Sequence, residues 1–151
     1  MQLGSDPQAA GQPLYVSSAT QNHFLGERLV TADGRVFRYC KVGSGADLVA
    51  GNYIQSPAQI GDHQNVAVTA TFPIGSTSIS VTLGATAATA NQYAGGQAVV
   101  TVTPGLGQAI TITGHAAAVL SGTLTLQLGE PLRVALTTST RIDLEIGRAH
   151  V

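Results

Sequence analysis

The feature that most constrains the fold is a long uncharged run, because no Asp, Glu, Lys or Arg occurs from His63 to Gly129. Such a run would suit a membrane span or a low-complexity tract, but here aliphatic residues alternate with Thr, Ser and Gln. A period of two puts apolar side chains on one face of a strand and polar side chains on the other. The run therefore predicts strands with one buried face and one neutral, hydroxyl-bearing face.

Short strands recur along this run and beyond it, separated by glycine-containing turns. Residues 104–107 (Pro-Gly-Leu-Gly) are typical of a hairpin turn, whereas residues 84–96 are rich in Ala and Thr and suit either a long loop or a weak helix. The regular spacing of short strands predicts an all-β fold, a small antiparallel sandwich or barrel. The predicted strands cover residues 65–72, 78–83, 98–103, 109–113, 123–128, 132–137 and 140–144.

A β-hairpin is predicted earlier in the chain, around the dipeptide Asp33-Gly34. Residues 29–32 and 35–40 flank that dipeptide as strands, and Asp-Gly supplies the positive φ angles of a type I′ turn. Phe37 and Tyr39 fall on the same face of the second strand. Much of the charge of the chain is concentrated around this hairpin, between Glu27 and Asp47.

The domain organisation follows from length and composition. Residues 1–22 have no periodicity and are rich in Pro, Gly, Ser and Gln, so we expect a flexible, extended N-terminal arm. The 151-residue chain allows one domain, and its 44% hydrophobic content argues against intrinsic disorder. We expect that β-rich domain to span residues 23–144.

Neither catalytic nor metal-binding patterns stand out. The sequence contains no G-x-S-x-G, G-x-G-x-x-G or P-loop pattern, and its acidic residues form no candidate carboxylate pair. The histidines are scattered, and Cys40 is the single cysteine, which favours a small buried side chain over a metal or redox site. We therefore expect no enzymatic activity, no cofactor and no metal.

The charge balance also restricts the partners. A formal net charge of −1 lacks the basic excess that nucleic-acid binding requires, and no apolar run is long enough for a membrane span. Nucleic acid and membrane are not expected partners. No signal peptide is recognisable, so synthesis in the cytosol is expected.

Several blocks of the chain have a distinctive composition and together span most of residues 23–144. They are 25–28 (LGER) through 32–39 (ADGRVFRY), 48–52 (LVAGN) with 55–58 (QSPA), 83–96 (LGATAATANQYAGG) and 130–138 (EPLRVALTT). By composition, these blocks resemble small virion structural proteins of tailed phages.

This resemblance implies a capsid decoration, or cement, protein that binds the outer surface of the major capsid protein lattice. It further implies a homo-oligomer, a trimer or a dimer, made in the host cytoplasm and located on the capsid exterior. A tail or baseplate component and a free carbohydrate- or surface-binding β-module are the alternatives. The region 23–41 concentrates charge and aromatic side chains, so the candidate capsid or partner contacts are Arg28, Arg35, Phe37, Arg38 and Tyr39.

The last residues of the chain do not resemble the end of a natural protein. Residues 146–151 (IGRAHV) are similar to the translation of a sequencing-library adapter, and Glu145 fits the codon that must precede that reading frame. We expect residues 145–151 to be a non-native tail, and the natural protein to continue past Leu144. The C-terminal part of the domain is then expected to be truncated.

Overall fold

The computed structural model describes residues 13–42, 49 and 58–147, which fall into two compact units. Residues 13–42 and 49 belong to an N-terminal unit, and residues 58–147 form a second one. The two units divide at Ser56 and Pro57, inside the span 23–144 that the sequence suggests as one domain. Residues 1–12 of the predicted arm and 148–151 of the predicted tail lie outside the described residues.

The N-terminal unit contains the predicted hairpin, formed by β1 (Arg28–Val30) and β2 (Val36–Arg38). Gly26 donates a hydrogen bond to the Tyr39 carbonyl and Tyr39 donates one to the Glu27 carbonyl, which continues the antiparallel ladder beyond β1.

The predicted type I′ turn of this hairpin is wrong. Among its described residues only Gly34 has a positive φ, +83°, whereas type I′ also requires one at Asp33. Gly34 donates to the Thr31 carbonyl and Thr31 donates to the Arg35 carbonyl, which makes a three-residue loop with a glycine bulge. The carboxylate of Asp33 accepts hydrogen bonds from the Thr31 hydroxyl and the Arg35 amide, which hold it in this conformation.

The second unit is a closed six-stranded antiparallel barrel with neighbour order β3-β4-β7-β6-β5-β8. The predicted all-β class is thus confirmed, and of the two architectures expected the described residues 58–147 form the barrel. Closure pairs the last strand, β8, with the first, β3, so the barrel has no open edge. Its strands are β3 (Val66–Val68), β4 (Ser78–Thr82), β5 (Gln97–Val102), β6 (Ala109–His115), β7 (Thr123–Leu128) and β8 (Arg141–Glu145).

The alternation of apolar and polar residues along the strands places the apolar side chains in the core of the barrel. In β4, Ile79 and Val81 are buried while Ser80 and Thr82 face outward, and β7 buries all three of its leucines. Ser80 and Thr125 face each other across these strands, with their hydroxyl oxygens 2.9 Å apart. The outside of the barrel here is neutral and hydroxyl-bearing, as the sequence predicts.

The strand predicted over residues 132–137 is wrong. This segment makes an isolated bridge between Leu136 and Phe72 and backbone hydrogen bonds that join Leu132 to Ser76 and Gly75, but no strand, although Leu132 and Leu136 are both buried in the core. The side-chain oxygen of Gln108 accepts hydrogen bonds from the amides of Arg133 and Val134, at 3.0 and 3.1 Å. These two amides bond a side chain instead of a neighbouring strand, so the ladder is interrupted and the segment is a loop.

Two further segments differ from or refine the expectations. Residues 84–96 form a loop without a helix, joined to the following chain by a bridge between Ala88 and Ala118. At the other end of the chain, Glu145 pairs with Gln97 as the last residue of β8, and Ile146 packs against the core. The tail expected from residue 145 therefore begins inside the last strand.

Candidate partner-binding site

The two faces of the N-terminal hairpin differ in exposure. Cross-strand pairing places Arg28 opposite Arg38 and Val30 opposite Val36, and all four are exposed. Leu29 lies opposite Phe37 on the other face, and both are partly buried. We call these the outer face and the inner face of the hairpin, since side chains alternate between the two sides of a strand.

On the inner face, Arg35 is committed to local contacts. Its guanidinium donates to the Tyr15 hydroxyl at 2.9 Å, lies 5.5 Å from the centre of the Phe37 ring, and pairs with Asp33 at 2.6 Å. Tyr15 and Phe37 meet edge to face with 6.1 Å between ring centres. The hydrogen bond from the Thr31 hydroxyl, with the Arg35 contacts, lowers the pKa of Asp33, and the same carboxylate raises the pKa of Arg35. Arg35 therefore holds the side chains of Tyr15 and Phe37 in place.

His23 and Tyr39 form a second group beside the hairpin. Their ring centres lie 5.3 Å apart, and the Tyr39 hydroxyl accepts a hydrogen bond from the Asn22 amide at 3.1 Å. His23 Nδ1 lies 3.3 Å from a carboxylate oxygen of Glu27. The other ring nitrogen, His23 Nε2, is buried and has no hydrogen-bond partner among the residues that the structure describes.

A cavity of about 700 Å³ runs along these groups. Arg28, Phe37, Arg38 and Tyr39 line it, so four of the five predicted contact residues meet there, while Arg35 supports the Phe37 wall from outside the lining. Their role in binding stays a prediction. The remaining lining residues are Pro13, Leu14, Tyr15, Val16, Ser17, His23, Glu27, Leu29, Cys40 and Val42.

The two arginines of this cavity carry unmatched charge. Arg38 donates to the Gly26 carbonyl at 2.8 Å, and among the described residues neither Arg28 nor Arg38 forms an ion pair with a carboxylate. Like charges directly opposite each other on paired strands are destabilising. Two guanidiniums without a carboxylate partner therefore border a cavity whose lining also includes apolar and aromatic residues.

The barrel holds a buried polar group that sequence reasoning missed. The Tyr93 hydroxyl contacts His63 Nδ1, His63 Nε2 lies 2.9 Å from the Thr86 carbonyl oxygen, and the Tyr93 amide donates to His115 Nε2 at 3.0 Å. Burial raises the pKa of Tyr93 to about 12, so its hydroxyl stays protonated and donates to His63. These contacts join loops far apart in sequence, and no spacing signal announces them.

Other site types find little support. Within residues 13–42, 49 and 58–147, no group of three His, Cys, Asp or Glu side chains is placed to hold a metal ion. The same residues contain no helix long and apolar enough to cross a bilayer. Comparisons with known protein families, with curated proteins and with solved structures find no match to this chain.

Proposed function

We propose that this chain is a virion structural protein of a tailed phage, and specifically a capsid decoration protein that binds the outer surface of the major capsid lattice. The observation that carries the proposal is the exposed outer face of the hairpin. Arg28, Val30, Val36 and Arg38 form there a patch of two cations and two aliphatic side chains. This patch lies within residues 25–39, one of several blocks of the chain that carry the phage resemblance.

The barrel supports the same reading through its neutral surface. Outward hydroxyls such as those of Ser80 and Thr125 replace the charged side chains common on soluble domains. Neutral polar groups lose less free energy than charges when they leave water, so such a surface tolerates close packing against a shell or against other copies. Barrel closure also removes the open strand edges that would promote non-specific association between copies.

The aromatic residues favour this function over a free carbohydrate-binding module. Phe37 is engaged by Tyr15 and Arg35, and Tyr39 by His23, so both rings are used in packing within the unit. A sugar-stacking platform needs an unoccupied ring face. The energetic role of a decoration protein is mass action: a ligand that binds only the assembled shell stabilises that state by its binding free energy.

Co-sedimentation with capsid shells tests the proposal. The full chain is mixed with assembled shells of the major capsid protein that lack decoration protein, and separately with unassembled capsid subunits. We expect saturable pelleting with shells, no complex with subunits, and a higher melting temperature of the decorated shells. Binding to glycan arrays without binding to shells, or attachment at a few tail sites only, would contradict decoration.

A further inference from the structure

We propose that the cavity of the N-terminal unit binds an acidic, extended segment of a protein partner, with Arg28 and Arg38 holding a side-chain carboxylate. The identity of the partner as a capsid protein rests on the proposed function, but the chemistry of the site does not.

The charge of the cavity calls for an anion. Arg28 and Arg38 are cross-strand neighbours and both line the cavity, but no carboxylate of the described residues pairs with either. A carboxylate placed between two guanidiniums removes their mutual repulsion and accepts charge-assisted hydrogen bonds, which are stronger than neutral ones. The Glu27 carboxylate does not serve this purpose, because it accepts from the Phe24 amide and lies against His23.

His23 specifies a second group on the ligand. Its Nδ1 lies 3.3 Å from the Glu27 carboxylate, so Nε2 is the ring nitrogen left for a ligand. Among the described residues Nε2 is buried without a hydrogen-bond partner, a state that costs free energy until a polar group of the ligand reaches it. A polypeptide offers such groups in its backbone amides and hydroxyl side chains.

The walls favour a protein segment over nucleic acid. Leu14, Leu29 and Val42 line the cavity with aliphatic side chains, and the Phe37 and Tyr39 rings are each in contact with another ring of the unit, Tyr15 and His23. Aliphatic walls with paired cations match a strand in which acidic and aliphatic residues alternate. The volume of about 700 Å³ accommodates several side chains of such a segment.

A peptide titration tests this inference. A fluorescein-labelled peptide of alternating Glu and Val is titrated with the full chain, beside the Gln-Val peptide of equal length and a labelled DNA duplex, with fluorescence anisotropy as the readout. We expect the Glu-Val peptide to bind at least tenfold more tightly than the Gln-Val peptide. NMR shifts on titration should be largest for the Arg28 and Arg38 Nε–H groups and the His23 ring.

Variants assign the effect to the cavity. Arg28→Gln combined with Arg38→Gln should weaken peptide binding at least tenfold, and His23→Phe, which keeps a ring against Tyr39, should weaken it severalfold. Arg133→Gln is the matched control, because Arg133 is an exposed barrel arginine paired with Glu130, and it should leave affinity unchanged. Circular dichroism confirms that each variant remains folded.

The outcomes separate this inference from the proposed function. Peptide binding that depends on Arg28 and Arg38, without binding to shells, would support the site and contradict decoration. Shell binding that survives the double arginine substitution, with no preference for the Glu-Val peptide, would overturn the site and leave decoration standing. Arginine-dependent binding of DNA in place of the peptide would also overturn it.

Discussion

Replacing Tyr93 by Phe probes the buried polar group of the barrel in isolation. Tyr93 and His63 are both 0% exposed, so the substitution leaves His63 Nδ1 as an unpaired acceptor in the core. Leaving a buried acceptor unsatisfied costs about 1–3 kcal/mol. The Tyr93 amide keeps its hydrogen bond to His115, so the loss is confined to the hydroxyl contact. We expect Tyr93→Phe to destabilise the barrel by that amount.

Thermal unfolding followed by circular dichroism measures this loss. A loss of 1 kcal/mol lowers the melting temperature of a domain of this size by about 4–8 °C. Ser80→Ala is the matched control, since it also removes one hydroxyl hydrogen bond, but on the outer face of β4, and should change stability by less than about 0.5 kcal/mol. Combined with His63→Leu, Tyr93→Phe should cost less than the sum of the two single effects, because they share one hydrogen bond.

A Tyr93→Phe variant that melts with the wild type, within the shift seen for Ser80→Ala, would refute this reasoning. So would strict additivity with His63→Leu. An unchanged melting temperature would mean that the hydroxyl contributes nothing to stability, and strict additivity would mean that its contribution does not come from the contact with His63.

Further predictions concern stability and pH. Gly96→Ala should lower the free energy of unfolding by about 1–3 kcal/mol, because the new Cβ would overlap the Glu145 carbonyl oxygen. A Cβ at Gly61 would have no neighbouring atom within contact distance, so the Gly61→Ala variant should melt like the wild type. Because the pKa of Tyr93 is raised, the stability that its hydroxyl contributes is complete below pH 10 and is lost as the pH rises toward about 12. The Tyr93→Phe variant should not show this loss of stability when it is melted at alkaline pH. NMR titration of the Asp33 carboxyl should give a midpoint below 3.8, with the turn stable above that pH and loosening as pH falls through the midpoint.

The local pattern of the sequence was sufficient for most of the barrel strands. Residues 123–128 alternate without interruption and form β7 with those bounds. Residues 132–137 alternate too, but the amides of Arg133 and Val134 bond the Gln108 side chain, a partner distant in sequence that alternation does not reveal. A period of two reports which side chains are buried, and the hydrogen-bond partners of the backbone depend on the tertiary fold.

The candidate site was predictable where its residues are close in sequence. Arg28, Phe37, Arg38 and Tyr39 meet along the cavity because one hairpin carries them. The part played by His23 was missed, since only the structure shows that its Nε2 is buried without a partner in the described part of the chain.

The different roles of Arg35, which makes local contacts, and of Arg28 and Arg38, which line the cavity, could not be predicted from the sequence either. Strand alternation alone places Arg35 on the same face as Phe37. It does not predict the hydrogen bond that Arg35 donates to the Tyr15 hydroxyl. The turn is a similar case, since Asp-Gly suits both a type I′ turn and a three-residue loop with a glycine bulge. Side-chain contacts of Asp33 decide between them.

The most direct test of the central claim is the copy number of this protein in purified particles. Trypsin releases residues 29–35 (LVTADGR) by cleaving after Arg28 and Arg35, and this peptide can be quantified by mass spectrometry against peptides of the major capsid protein. Decoration of the lattice predicts an abundance comparable to that of the major capsid protein. A few copies per particle would indicate a tail component, and presence in cells with absence from particles would contradict a virion role altogether.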